Sequence, residues 1–206
     1  MRKIFVVGAS TEYINWMQGT LVDKIDYADL VVFTGGEDVD PSLYGEKRHP
    51  YTQSSIARDN YEAECYQKVR NYGKRSIGIC RGSQFLTVMN GGRLVQHQDN
   101  PFARHLMTTF DNKKVEITSS HHQASYPFEL PEADYKVLGW TEGLSMFHEN
   151  GACVEMEPPV EVEMIHYPKT KCFGIQGHPE WMSPDHYAVK YLQGLLDNFM
   201  QDKLAK

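Results

Sequence analysis

The sequence predicts an α/β fold: a mostly parallel sheet with helices on both faces and a small antiparallel extension. Two observations predict it. In the first half, short apolar runs alternate with segments of helical period, the signature of a parallel sheet layered by helices. In the middle, roughly residues 105 to 170, strand-like runs follow one another without helices between them. The 206 residues, 41% hydrophobic and 23% charged, suit one domain over 1–206 with room for a buried core.

"KIFVVGAS" reads as a buried first strand running into a loop. "ADLVVFTGGEDVDPSLYGE" begins as a second strand, Leu30 to Phe33, and breaks at Thr34-Gly35-Gly36 into a loop rich in Asp, Pro and Gly. "ARDNYEAECYQKVRNYGK" is helical, with Tyr61, Cys65, Val69 and Tyr72 as its expected apolar stripe and Gly73 as its C-terminal cap. The strand "SIGIC" and the helix "SQFLTVMNG" come next. "KKVEITSSHHQASY" has β character before a polar His-rich loop, and "YKVLGWT", "CVEMEP" and "VEMIHYP" read as further strands. "KCFGIQGHPEW" is a strand ending in a special turn, and "DHYAVKYLQGLLDNFMQD" is an amphipathic C-terminal helix.

The formal net charge of -6 argues against a general nucleic-acid binder, which carries a basic face. No apolar stretch approaches the ~20 residues that span a bilayer. The N-terminal apolar run is too brief for a signal peptide, so a cytoplasmic protein is expected. Cys65, Cys80, Cys153 and Cys172 form no CxxC pair, and reduced thiols are the default in that compartment.

Gly78-Ile79-Cys80-Arg81-Gly82 is the thiol version of the G-x-S-x-G nucleophile elbow. Glycines there relieve crowding in a tight strand-to-helix turn, and the start of the following helix favours a thiolate. The alternative is a buried structural cysteine beside a Gly-rich turn. A thiol nucleophile needs a base and an orienting group. His178 and Glu180 in "GIQGHPEW" are two residues apart, so in an extended stretch they point the same way. The alternative there is a surface histidine beside a helix-starting Pro-Glu. The N–H of Arg81, just after the nucleophile, is placed to receive an oxyanion, and a second donor can come from Gly35-Gly36, unless that pair is only a turn.

Taken together, "TGGEDVDPSLYGE", Arg58-Asp59 with Glu62, "GICRGSQFLTVMNGGRLVQ", "SSHHQAS" and "GIQGHPEW", in that order over roughly residues 28 to 185, resemble the class I glutamine amidotransferase superfamily. They are most similar to its stand-alone γ-glutamyl hydrolase branch, which includes γ-glutamyl-GABA hydrolase. The resemblance implies a flavodoxin-like sheet and a Cys80–His178–Glu180 triad. It implies an oxyanion hole from the N–H groups of Gly36 and Arg81, and substrate contacts from Gln84, Ser120, His121 and His122. It implies no metal or organic cofactor.

Two departures stand out. The segment between the first strand and "TGGEDVDP" is shorter than in the hydrolase branch, which carries an additional helix and strand there. Gly177 replaces a bulky residue before the histidine, which suggests a wider pocket mouth. "LVQHQDN" and "FARHLM" fall where relatives shape the substrate entrance. The small-molecule substrate is a γ-glutamyl amine, with the amine simply released, or glutamine, with ammonia passed to a separate synthetase chain. A non-catalytic binding or regulatory member is a further reading. A metal site from His97, His105, His121 and His122 is another, although their spacings fit no closed zinc pattern. Oligomeric state is left open.

Overall fold

The computed structural model describes residues 1–8, 11–99, 104–142, 146–149 and 152–204. Five parallel strands form one half of the main sheet: β1 (Arg2–Val7), β2 (Gly19–Leu21), β3 (Leu30–Phe33), β4 (Arg75–Ile79) and, last in the chain, β14 (Cys172–Ile175). Four antiparallel strands extend it: β7 (Arg104–Thr109), β8 (Lys114–Thr118), β10 (Lys136–Glu142) and β13 (Val160–Tyr167). The order across the sheet is β2-β1-β3-β4-β14-β13-β10-β7-β8. Two small sheets lie outside it. One pairs β5 (Arg93–Val95) with β9 (Ala124–Tyr126), and the other joins β6 (His97–Gln98), β11 (Phe147–Glu149) and β12 (Ala152–Val154).

Helices cover both faces of the parallel half. The helix α1 (Glu12–Met17) and the C-terminal helix α4 (Tyr187–Met200) pack on one face against Ile4, Leu30, Val32, Ile77, Ile79 and Ile175. The helices α2 (Ile56–Asn71) and α3 (Arg81–Met89) pack on the other against Val7, Val31, Phe33 and Ile165. In α4, Ala188, Val189, Leu192, Leu195, Leu196 and Phe199 are buried, the three- and four-residue spacing of a core-facing stripe.

Several expectations change. The short front segment holds both a helix and a strand, α1 and β2, each too brief to carry a clear period. The helix over 56–71 forms, and Gly73 follows it at a φ of 61°. Its buried face is rotated, however: Tyr61 and Tyr72 are exposed, and Asp59, Glu62, Cys65, Tyr66 and Val69 face inward. Two carboxylates can face the core because buried arginine side chains meet them there. Of "CVEMEP", only the first two residues are in a strand, β12. Asn100, Phe102 and Ala103 of the expected entrance loop, and Ala9-Ser10 after the first strand, lie outside the described residues.

The chain turns sharply at Cys80, from β4 into α3. A Cβ on Gly78 would overlap the backbone of Gly82 and Ser83, and one on Gly82 would overlap the Phe33 carbonyl. These two glycines let α3 press on β4 and β3 together. Gly82→Ala is therefore expected to cost about 1–3 kcal/mol of stability through overpacking. Chemical denaturation measures this, and a variant as stable as the parent contradicts the close approach.

Candidate active site

Cys80 occupies the turn with φ 52° and ψ -113°, a region that residues with a Cβ rarely adopt. It is held there from both sides. Its N–H donates to the Ile175 carbonyl (2.8 Å), and its own carbonyl accepts from the N–H groups of Ser83 (2.9 Å) and Gln84 (3.2 Å). Those two bonds open α3, so the N–H of Arg81 is among the first-turn donors without an acceptor inside the helix.

His178 follows β14 and is buried, its N–H bonded to the Thr118 carbonyl at 3.0 Å. Its Nδ1 meets Glu180 Oε1 at 2.7 Å, the contact expected of an orienting carboxylate. The Cys80 thiol is its other neighbour and, with Glu180, acts to raise its pKa. With Nδ1 engaged by Glu180, Nε2 is the nitrogen left for the sulfur. Burial by itself lowers the His178 pKa, but the interactions with Cys80 and Glu180 outweigh it and raise the value to about 9.

Two aromatic residues that sequence reasoning missed complete the site. Trp181 stacks flat on the His178 ring, centroids 3.5 Å apart and planes 4° from parallel, with its outer face half exposed. Tyr13, from α1, accepts a hydrogen bond at its hydroxyl from the Gly35 N–H (3.1 Å). Burial, reinforced by the nearby Glu180 charge, pushes the Tyr13 phenol up to about 12, so it stays protonated. A Cβ on Gly35 would lie 3.2 Å from His178 Cε1, 3.4 Å from Tyr13 Oη and 3.6 Å from Cys80 Cβ. One point on the Gly35-Gly36 loop thus touches all three groups.

The loop itself is gripped by α2 and α3. Arg58 Nη2 donates to the carbonyls of Gly35 (2.9 Å) and Thr34 (3.3 Å), while its Nε pairs with Glu62 at 2.8 Å. Arg81 turns its side chain into the core, where it pairs with Asp59 and Glu62 and donates from Nε to the Glu37 carbonyl (3.1 Å). Gly36 has a φ of 137°, and a Cβ there would strike Arg58. Two arginines and two carboxylates therefore form a neutral buried cluster. The Arg-Asp-x-x-Glu spacing on one helix was the available signal for it, although its role emerges only from the fold.

The expected substrate contacts divide. Gln84 is buried one turn into α3 and donates to the Gln123 carbonyl (2.9 Å) and Gln176 Oε1 (3.2 Å). His121 points inward beside it, with Nδ1 on the Gln123 carbonyl at 2.8 Å, and burial lowers its pKa so that it stays neutral. His122 points the other way, to Asp38 (3.1 Å) and His97 (3.4 Å), in a group that also includes His49 and His148. Ser120, just before His121 and His122, is half-buried. His105 pairs with Glu163 at 2.7 Å. Among the described residues, no three His, Cys, Asp or Glu side chains are arranged to hold a metal ion. Gly177 does not widen a pocket mouth: a side chain there would overlap Ile117 and crowd the Thr118 carbonyl, so the glycine admits β8 against the catalytic turn.

The raised His178 pKa has a stability consequence. An imidazole at about 9 in the fold and 6.5 when unperturbed contributes stability that is full below pH 6.5 and is lost as pH rises through about 9. Glu180→Gln removes one raising partner, so the His178 pKa is expected to fall and the alkaline loss of stability to shrink. An NMR titration of the imidazole checks this, and an unmoved pKa contradicts the assigned contact.

Comparison with known proteins gives the family. Residues 14–127, more than half of the chain, match the peptidase C26 family. Protein NtpR of Enterococcus hirae is 28% identical over 197 residues, covering 86% of this chain and 76% of that protein. The glutamine amidotransferase-like protein YvdE of Lactococcus lactis is 39% identical over 113 residues, 54% of this chain and 39% of that one. A crystal structure of a glutamine amidotransferase from Thermotoga maritima shares the fold, with a TM-score of 0.60 at 14% identity over 100% of this chain and 99% of that one. A Thermoplasma acidophilum protein described as a GMP synthase subunit does so with a TM-score of 0.60 at 16% identity, over 98% and 93% of the two chains. Among the described residues no helix is long and apolar enough to cross a membrane. The chain belongs to the peptidase C26 family, within the class I glutamine amidotransferase superfamily, whose shared chemistry is cysteine-dependent hydrolysis of an amide bond.

Proposed function

We propose that this protein hydrolyses a γ-glutamyl amide through a γ-glutamyl thioester on Cys80. The observation that carries the reading is the His178–Glu180 pair standing with Cys80 around Gly35, the thiol on a strained strand-to-helix turn beside the Gly35-Gly36 loop. In this scheme the Cys80 sulfur attacks the amide carbonyl. The N–H groups of Gly36 and Arg81 receive the oxyanion, and one such donor is typically worth roughly 3 kcal/mol of barrier. His178 protonates the departing amine and then activates water, which releases glutamate and the free thiol. Glu180 holds the imidazole, and Trp181 covers its face. Gln84 and the Ser120–His122 turn border the glutamyl end. All of these steps use protein groups alone.

The motifs "DVDPSLYGE" and "CRG" favour a stand-alone hydrolase acting on a small γ-glutamyl amine. A second reading, a glutaminase that passes ammonia to a separate synthetase chain, is favoured by the burial of the nucleophile. Cys80 is only 5% exposed, as suits a site that a partner opens. Glutamate release from glutamine and from a panel of γ-glutamyl amines, using the purified chain, separates the two. Turnover of a γ-glutamyl amine that Cys80→Ala abolishes without loss of fold supports the hydrolase. Negligible turnover, with Cys80 still alkylated by a glutamine-like electrophile, supports the partner-dependent glutaminase. A fully active Cys80→Ala contradicts both.

A further inference from the structure

The Gly35-Gly36 loop is held at two successive peptides, from opposite sides. In a trans peptide the C=O and N–H point in opposite directions. The Thr34–Gly35 peptide is held at both ends, its carbonyl by Arg58 (3.3 Å) and its N–H by the Tyr13 hydroxyl (3.1 Å). The Gly35–Gly36 peptide has its carbonyl on Arg58 at 2.9 Å, which turns the Gly36 N–H away from the guanidinium. A glycine pair rotates freely about its backbone, so without these contacts either peptide could flip and withdraw its donor.

Arg58 is itself fixed. Its Nε bonds Glu62 (2.8 Å), which also pairs with Arg81, the residue whose N–H follows the nucleophile. Glu62 therefore links the side chain that grips the loop to the side chain of the residue after Cys80. Tyr13 reaches the loop from the opposite face of the sheet, on α1, and stays a neutral phenol.

We propose that Arg58 and Tyr13 are positioning residues: a two-sided latch that holds the Gly35-Gly36 loop with the Gly36 N–H turned to receive the oxyanion. The inference rests on the proposed thioester chemistry for its function and on the loop contacts alone for its geometry, so the two can be tested apart.

The geometric test needs no turnover. The Gly35 amide, bonded to Tyr13, is expected to be protected from hydrogen exchange, and both Tyr13→Phe and Arg58→Ala are expected to speed its exchange while the amides of α4 are unmoved. Unchanged Gly35 exchange in both variants overturns the latch whatever the activity.

The functional test uses the best substrate of the panel. Arg58→Ala is expected to lower kcat on the order of 100-fold, the cost of a misplaced oxyanion donor. KM is expected to stay within about threefold, because the loss is confined to the transition state. Alkylation of Cys80 by iodoacetamide, which forms no oxyanion, is expected to be unaffected. A cavity of about 380 Å³ lies beside Arg58, lined also by Tyr13, Gly35 and Tyr61. Added guanidinium is therefore expected to restore kcat in Arg58→Ala and to do nothing in Arg58→Ala/Cys80→Ala. Wild-type kcat in Arg58→Ala, or a loss that guanidinium leaves unrelieved in a variant that circular dichroism shows to be folded at the assay temperature, overturns the latch. A wild-type chain inactive on every substrate and inert to glutamine-like electrophiles overturns the proposed function instead, and the exchange result still decides the latch.

Discussion

The buried cluster of Arg58, Asp59, Glu62 and Arg81 is the interaction on which the rest of the site depends. It joins α2 to the Cys80 turn through Arg81 and to the loop after β3 through Arg58 and the Glu37 carbonyl. A buried ion pair is weak evidence for stability, since desolvation offsets most of the attraction, but removing one partner strands a charge at a cost of about 3–5 kcal/mol. The cluster is balanced, two charges of each sign, and further arginine donors reach the carbonyls of Thr34, Gly35 and Glu37 and the Thr34 hydroxyl. These contacts set the Gly35-Gly36 loop, at the end of β3, beside the Cys80 turn at the end of β4.

The second constraint is the turn at Cys80. Its positive φ is held against strain by the bond to Ile175 on β14 and by the first bonds of α3. The glycines at 78 and 82 permit the approach of α3 to β4 and β3, and Gly177 permits β8 to meet the chain just before His178. Backbone placement by the parallel strands therefore sets the positions of the thiol, the imidazole and the loop, and side-chain contacts set their orientation. This is why the site sits at the carboxyl ends of β3, β4 and β14, as open α/β sheets require.

Much of this is legible in the amino-acid sequence alone. The apolar runs of β1, β3 and β4 and the stripe of α4 are strong local signals, and the elbow glycines flank Cys80 at a recognisable spacing. The His178–Glu180 pair is readable from its two-residue spacing, although Pro179–Trp181 form a 3-10 turn and not the extended stretch expected of them. What is illegible depends on distant packing. The stripe of α2 misleads because its inward face carries Asp59 and Glu62, which Arg58 on the same helix and Arg81 on the next make tolerable in the core. α1 is too short to show a period, and Tyr13 is hidden with it. Trp181 gives no signal beyond its nearness to His178. Gly177 misleads because the atom it makes room for, on Ile117 of β8, belongs to a strand remote in sequence.

The most direct measurement is mass spectrometry of the Cys80 peptide after acid quenching during turnover of a γ-glutamyl amide. The account predicts a peptide heavier by one γ-glutamyl group, labile to hydroxylamine and accumulating when Glu180→Gln slows the second step. Turnover with the adduct on another residue, or with glutamate release unaffected when Cys80 is blocked, would contradict it.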